Sequence, residues 1–412
     1  MSPAKKLPAF DQDKILARPA ANEFRDLLKV ACEAARMDWG RLLPSLVCRC
    51  PDPLHPIRRY SEWNILNPWR VPTVARFLAD LSIPAVSEST PDLARMLLPP
   101  VVNRRFWRPT RFFRQPDEYA SVCSFPNEHW FFINGIATNP DVARYNSAYL
   151  AHLFHRPVTV VQNPTCSLPA DLLECIIGKG LRLCDKKFMT EPAWRATTAI
   201  LEALNAEHIK HVIVIAHSQG TIITSNVLAV IEQALNSDLA MQKEPKWHDF
   251  TRKLMGKIET EAQKVLRNSL AHALAEFTSE KSEHVMKRLK KLEIYTFANC
   301  ADKMSYVHQS APLPYMEHYA NEFDWVARLG ILSPLRNEAA ATIEIDGPMF
   351  EQKGEWGHLL NEHYLTAIDD FLYPGAEPYR REDDPFPPGG NGSAESRLYQ
   401  YFHGKSPRAL WV

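Results

Sequence analysis

Glycine is scarce in this chain, with 15 in 412 residues, whereas proline reaches 32. Stiff loops are therefore expected outside any regular core. The eight cysteines are scattered and form no C-x-x-C pair; Cys48-Arg49-Cys50 is C-x-C. That spacing argues against a zinc or dithiol redox site and leaves ordinary thiols in a reducing compartment. Neither sign of charge prevails, since Lys plus Arg and Asp plus Glu are 48 each. No global field is then available to recruit nucleic acid or an anionic membrane. Uninterrupted apolar runs fall short of the roughly 20 residues that span a bilayer. Met1 to Phe10 holds no apolar segment of the kind a secretory signal needs. The expected location is cytoplasmic.

What is present is the composition of a soluble globular protein, 45% hydrophobic and 23% charged. The length suits one large or two ordinary domains. Residues 1–118 are expected to form a helical, proline-rich region of their own. In Asn22–Met37, Phe24, Leu27, Leu28 and Ala31 fall at helical spacing, and a second helix is expected over Thr73–Leu81. Pro44, Pro51, Pro53, Pro56, Pro68 and Pro72 prevent a long element between them. Arg104–Arg114 interleaves five arginines with four aromatic residues. Such a run suits a patch for an acidic partner or nucleic acid, or arginines stacked on rings where two parts of the chain pack. Stacking is the plainer reading.

From Glu128 the pattern alternates. Strands are expected at His129–Ile133, Pro157–Gln162, Val212–Ala216, Leu292–Ala298, Tyr315–Ala320 and Ala341–Ile345. Helices are expected at Asp141–Phe154, Glu191–Glu207, Thr221–Leu235 and Leu359–Leu372. Repeated βα units imply an α/β domain over 119–373, a parallel sheet with helices on both faces. Asn236–Lys290 interrupts the alternation as a charged insertion. Leu254, Ile258, Val265, Leu266, Leu270, Leu274 and Phe277 lie roughly along one helical stripe in it. It suits either a cap over a site or a packing hairpin. Residues 374–412 read as a Pro/Gly-rich tail, with docking of Arg397–Phe402 left open.

The chain is organised around Lys210–Asn226. Val212–Ala216 is apolar without alternation, as in a strand buried on both faces, and a helical run follows at once. Between them stands Ala216-His217-Ser218-Gln219-Gly220, G-x-S-x-G with Ala in place of the first Gly. Small residues two before and two after the Ser let strand and helix nearly touch, which leaves the Ser at the carboxyl end of the sheet. This segment resembles the nucleophile region of α/β-hydrolases, particularly lipase- and esterase-like serine hydrolases. The resemblance runs from about Glu128 to Tyr373. It implies a mostly parallel α/β-hydrolase sheet, with the insertion at 236–290 as a helical cap and the N-terminal region as a helical extension.

The family presents its acid and then its base downstream of the serine. Asp324, after the second strand beyond Ser218, is the expected acid, and Asp302, after the first, is the alternative. The expected base is His358, before the last helix; His363 would lie inside that helix and face elsewhere. His217 reads as a structural histidine. The oxyanion donors implied are the backbone amides of Gln219 and Ile136, with Asn134-Gly135-Ile136 standing where the family has His-Gly. No metal-ligand cluster or dinucleotide motif is visible, and no cofactor is expected. The resemblance implies hydrolysis of a carboxylic ester through an acyl-Ser218 intermediate. Alternatives are a non-catalytic interaction protein on the same fold, and an acyltransferase or thioesterase using the same residues. The partner expected is a small-molecule or lipid acyl ester. Nucleic acid is not expected, nor is a transmembrane segment; peripheral membrane contact is left open, and oligomeric state is not legible.

Overall fold

The computed structural model describes residues 57–66, 110–115, 125–135, 138–163, 191–236, 247, 249, 251, 261–278, 282–308, 310–333, 343–355, 357–370, 380–381 and 396–407. The helices expected over Asn22–Met37 and Thr73–Leu81 lie outside them.

Val212–Ala216 forms the middle of β4 (His211–His217), buried from Val212 onward. A strand with no polar face needs cover above and below, and β4 takes the centre of the sheet accordingly. Parallel neighbours flank it, β2 (Glu128–Ile133) on one side and β5 (Leu292–Phe297) on the other. β3 (Val158–Gln162) pairs parallel with β2, β7 (Tyr315–Asn321) with β5, and β9 (Met349–Gln352) with β7. Antiparallel strands close both sides: β1 (Arg111–Gln115) on β3 and β10 (Arg380–Arg381) on β9. The order is β1-β3-β2-β4-β5-β7-β9-β10, and this mostly parallel sheet with its helices makes the fold α/β. β6 (Lys303–Met304) and β8 (Glu344–Ile345) pair separately.

Two strands differ from expectation. The run at Ala341–Ile345 contributes only β8, outside the main sheet, and β9 supplies the strand there. Met349-Phe350-Glu351-Gln352 is half polar, yet all four residues are buried, so it carried no apolar signature. β1 lies inside the region assigned to 1–118 and pairs antiparallel with β3 of the sheet. As an edge strand rich in arginine it has the charge that guards exposed edges, and no hydrophobic run.

Helices cover both faces. α1 (Ile57–Tyr60), α2 (Pro140–Phe154) and the C-terminal turn lie together; α3 (Glu191–Asn205), α4 (Gln219–Leu235), α5 (Glu261–Thr278) and α6 (Ser282–Lys290) pack with one another. α2 starts where Asn139 accepts the Asp141 and Val142 amides and Pro140 fills the first turn. α5 lies in the insertion. Its Leu270, Leu274 and Phe277 are buried, Leu266 is partly buried, and Asn205 Nδ2 donates to the Ala273 carbonyl. The described part of the insertion is thus a packing layer against α3 and α4. Val265 leaves the expected stripe at 64% exposed, and Leu254 and Ile258 lie outside the described residues. No described helix is long and apolar enough to cross a membrane.

The tail docks. Leu398–Gly404 forms a 3₁₀ turn whose Leu398 and Tyr401 are fully buried. It meets two carboxylates on the sheet. Glu317 accepts the Tyr315 and Tyr319 hydroxyls and the Arg397 and Leu398 amides. Glu293 accepts the Tyr295 and Tyr401 hydroxyls, with Arg397 Nη2 at 2.7 Å. On the same side, buried Arg156 pairs with Glu128 at 3.0 Å and donates to the Tyr401 and Lys405 carbonyls. Buried carboxylates survive only with such partners.

Arg397→Met should therefore leave Glu293 buried without its cation, at a cost of about 3 kcal/mol. Urea unfolding followed by circular dichroism should show a lowered midpoint; an unchanged midpoint would mean that the docked turn adds nothing to stability.

Candidate active site

Ser218 sits between β4 and α4 with φ of 55° and ψ of −126°, a region that residues with side chains rarely enter. Holding it there costs roughly 1–3 kcal/mol, which the surroundings must offset. The Ser218 amide donates to the Phe297 carbonyl at 3.0 Å, and the Ser218 carbonyl accepts both the amide and the hydroxyl of Thr221. Closeness explains the small neighbours. A Cβ on Gly220 would stand 2.2 Å from the Ile133 carbonyl oxygen, and one on Gly135 would stand 2.5 Å from Ser218 Cβ. The loop after β2 therefore presses directly on the serine.

His358 lies between β9 and the last helix, with Nε2 2.9 Å from Ser218 Oγ. Its Nδ1 is 2.9 Å from Asp324 Oδ2 and 3.2 Å from Oδ1. Asp324 follows β7 and is fully buried. Burial pushes its carboxyl up, but His358, the Tyr364 hydroxyl at 2.6 Å and the Val326 amide at 2.8 Å outweigh that and hold it below its ordinary value. An ionised carboxylate only accepts, so Nδ1 carries the ring proton. Nε2 is left as the acceptor for the Ser218 hydroxyl. Asp302 does not sit at the imidazole. It lies after β5, and its carbonyl accepts the Glu344 amide at 2.7 Å, tying β6 to β8.

Several residues hold the His358 turn; the sequence placed His217 in a structural role but did not show what it holds. His217 is buried, and its Nε2 donates to the His358 carbonyl at 2.8 Å. Its ring lies 4.8 Å from that of His358. Burial lowers it to about 3, so it stays neutral and adds no charge beside the His358 ring. His363 Nδ1 accepts the Leu359 amide at 2.9 Å, and its ring covers Gly357, where φ is 103° and any Cβ would meet the ring at 2.5 Å. Asn321 Nδ2 donates to the Gly357 and His363 carbonyls. The expected last helix begins as a π-helical turn, Leu360–Leu365, and continues as α7 (Thr366–Asp370).

The N-terminal segment buttresses the same turn by reciprocal capping. Glu62 Oε2 accepts the Asn361 amide at 3.0 Å, while Glu362 Oε1 accepts the Glu62 amide at 3.0 Å and the Ser61 hydroxyl. Asn146 Nδ2 bridges Glu62 and Asn361 from α2. Burial pushes the Glu62 carboxyl up to about 7 against the Asn146 hydrogen bond, with Glu362 adding to the rise. No sequence motif announces these contacts, because their partners are some 300 residues apart.

The Gln219 amide, one of the two expected oxyanion donors, stands at the first position of α4, directly after Ser218. Ile136 lies outside the described residues. Asn134, in the place where His was expected from the resemblance, ties this corner together. Its Oδ1 accepts the Asn163 amide at 2.7 Å, its Nδ2 donates to the Asn163 carbonyl, and Asn163 Nδ2 donates to Gln219 Oε1 at 2.6 Å. Trp325 stands beside the site, 45% exposed, with its ring 6.3 Å from that of His358. Among the described residues no group of three or more His, Cys, Asp or Glu is arranged to hold a metal ion.

The raised Glu62 carboxyl has a measurable signature. A carboxyl whose folded pKa exceeds its unfolded value holds its proton more tightly when folded. Stability should then fall as pH rises from about 4.5 to about 7 and level off above. Glu62→Gln should remove that slope, so the two proteins should differ by on the order of 3 kcal/mol in their pH dependence across the window. Urea unfolding at several pH values checks this; parallel curves would refute it.

No family model matches the chain, and no curated protein and no solved structure matches it.

Proposed function

We propose that this chain is a serine hydrolase of the α/β-hydrolase type, cleaving a carboxylic ester through an acyl-Ser218 intermediate. The observation that carries the reading is the pair of contacts at His358, 2.9 Å from Ser218 Oγ on one ring nitrogen and 2.9 Å from Asp324 on the other. Three side chains from three separate loops meet at the carboxyl end of a parallel sheet, where such sites gather. The strained Ser218 backbone supports the same reading, since strain of this kind clusters at working sites.

In this mechanism His358 Nε2 takes the Ser218 proton as Oγ attacks the ester carbonyl. Asp324 stabilises the imidazolium and holds the tautomer, and the Gln219 amide donates to the developing oxyanion. Collapse of the tetrahedral intermediate breaks the bond to the leaving alkoxide, which takes the proton from Nε2. Water then attacks the acyl-enzyme with His358 again as base, and Ser218 leaves protonated. Tyr364 and His217 act as positioning residues, one on the Asp324 carboxylate and one on the His358 backbone. The intact set of serine, base and buried acid favours catalysis over a scaffold role for the fold.

A fluorophosphonate probe should label wild-type protein and leave Ser218→Ala unlabelled. Against p-nitrophenyl esters of graded chain length, Ser218→Ala and His358→Ala should each lose several orders of magnitude in kcat, and the double variant little more. Asp324→Asn should cost on the order of 10⁴ by favouring the other tautomer, while Asp302→Asn should stay near wild type. A folded wild type that neither labels nor turns over any ester would overturn the reading.

A further inference from the structure

A cavity of about 640 Å³ opens between β1, the first half of α2 and α1, on the far side of β3 and β2 from Ser218. It is a groove open to solvent, with the arginine side chains exposed along it, and its volume is in the range of small-molecule sites. Four arginines line it, and they arrive from three elements: Arg59 from α1, Arg111 and Arg114 from β1, and Arg144 from α2. The acidic group among the lining residues is Asp141, 3.4 Å from Arg144 Nη1. Among the described residues the groove gathers more guanidiniums than carboxylates, although the chain as a whole has equal numbers of acidic and basic residues. Each guanidinium raises the potential felt by the others, and an anion between them relieves it.

The rest of the lining is aromatic and apolar. Phe113 and Ala148 pack against the hydrophobic core, Tyr60 is buried and stacks on Tyr149 at 5.3 Å, and Tyr145 stands one turn of α2 before them. Strand alternation puts Arg111 and Phe113 on one face of β1 and Phe112 and Arg114 on the other, so a guanidinium and a ring stand side by side on the face of Arg111. The arginine–aromatic run seen in the sequence thus places its described end in this cavity.

We infer that the cavity binds a phosphate monoester carrying an apolar or aromatic body. Arg59, Arg111 and Arg144 hold the phosphate, and Tyr60, Phe113 and Tyr145 receive the body. Guanidinium forks match phosphate oxygens in pairs, and a monoester near two negative charges answers this excess of arginine better than one carboxylate does. The site is independent of the Ser218 chemistry and stands whether or not the hydrolase reading does.

Isothermal titration of the full chain with octyl phosphate tests it. Saturable binding is expected that weakens as salt rises. Octanol, octanoate and inorganic phosphate should each bind at least tenfold more weakly. The Arg111→Gln/Arg144→Gln double variant should also bind octyl phosphate at least tenfold more weakly, with wild-type Tm and unchanged fluorophosphonate labelling. Both side chains are exposed, so the variant should fold; Arg59→Gln gives a second, independent reading. The proposal is overturned by absence of saturable binding, by a double variant that binds as tightly as wild type, or by octanol or inorganic phosphate matching octyl phosphate. It is also overturned if a single-stranded oligonucleotide displaces octyl phosphate and binds more tightly, which would make the cavity part of a nucleic-acid surface.

Discussion

The close approach of three backbones at Ser218 is the constraint on which the rest of the structure depends. β4 delivers the chain to that point, α4 carries it away, and the loop after β2 presses from the side. There is no room for a side chain at Gly220 or Gly135, each of which would put a Cβ within about 2.5 Å of its neighbour. The left-handed φ at Ser218 is the geometric price of reversing from strand to helix in so little space. Everything downstream of β4 follows from where that leaves Oγ. It stands clear of the sheet, with the α4 N-terminus beneath it and the ends of β7 and β9 facing it.

A serine hydroxyl is a weak nucleophile unless a base is kept beside it, and many buried hydrogen bonds converge on the His358 turn. Its backbone is tied by His217 and its ring by Asp324, while Asn321 and His363 close the glycine turn on either side. Glu62 and Glu362 cap each other's helices, so a segment from the start of the chain braces a turn near its end. The C-terminal turn plays the same part for the sheet below, where Glu293 and Glu317 are buried and need the partners it brings.

How much of this the sequence could disclose depended on distance along the chain. Alternating runs from Glu128 to Leu372 give the α/β pattern, because a strand covered on both faces must be apolar throughout and a helix must repeat its apolar side. Ser218 was legible for a local reason too: small residues on either side of a serine, between such a strand and such a helix, have few other uses. His358 was readable from its place before the last helix. β1, β9 and the docked tail were not, because Arg111–Gln115 and Met349–Gln352 are buried or paired through polar residues that leave no hydrophobic signature.

The sequence by itself determined which segments become strands and helices around β4, and where the serine would stand, since both follow from interactions within a few residues. Tertiary structure decided which of two candidate aspartates meets His358. Asp324 and Asp302 each follow a strand of the sheet, and only the order β5-β7-β9 puts the loop after β7 beside the loop that carries His358. It decided likewise that His217 would hold a backbone carbonyl, that Glu62 would reach Asn361, and that arginines of α1, β1 and α2 would line one groove. Contacts between residues far apart in the chain depend on how elements stack, and no periodicity along the sequence records that.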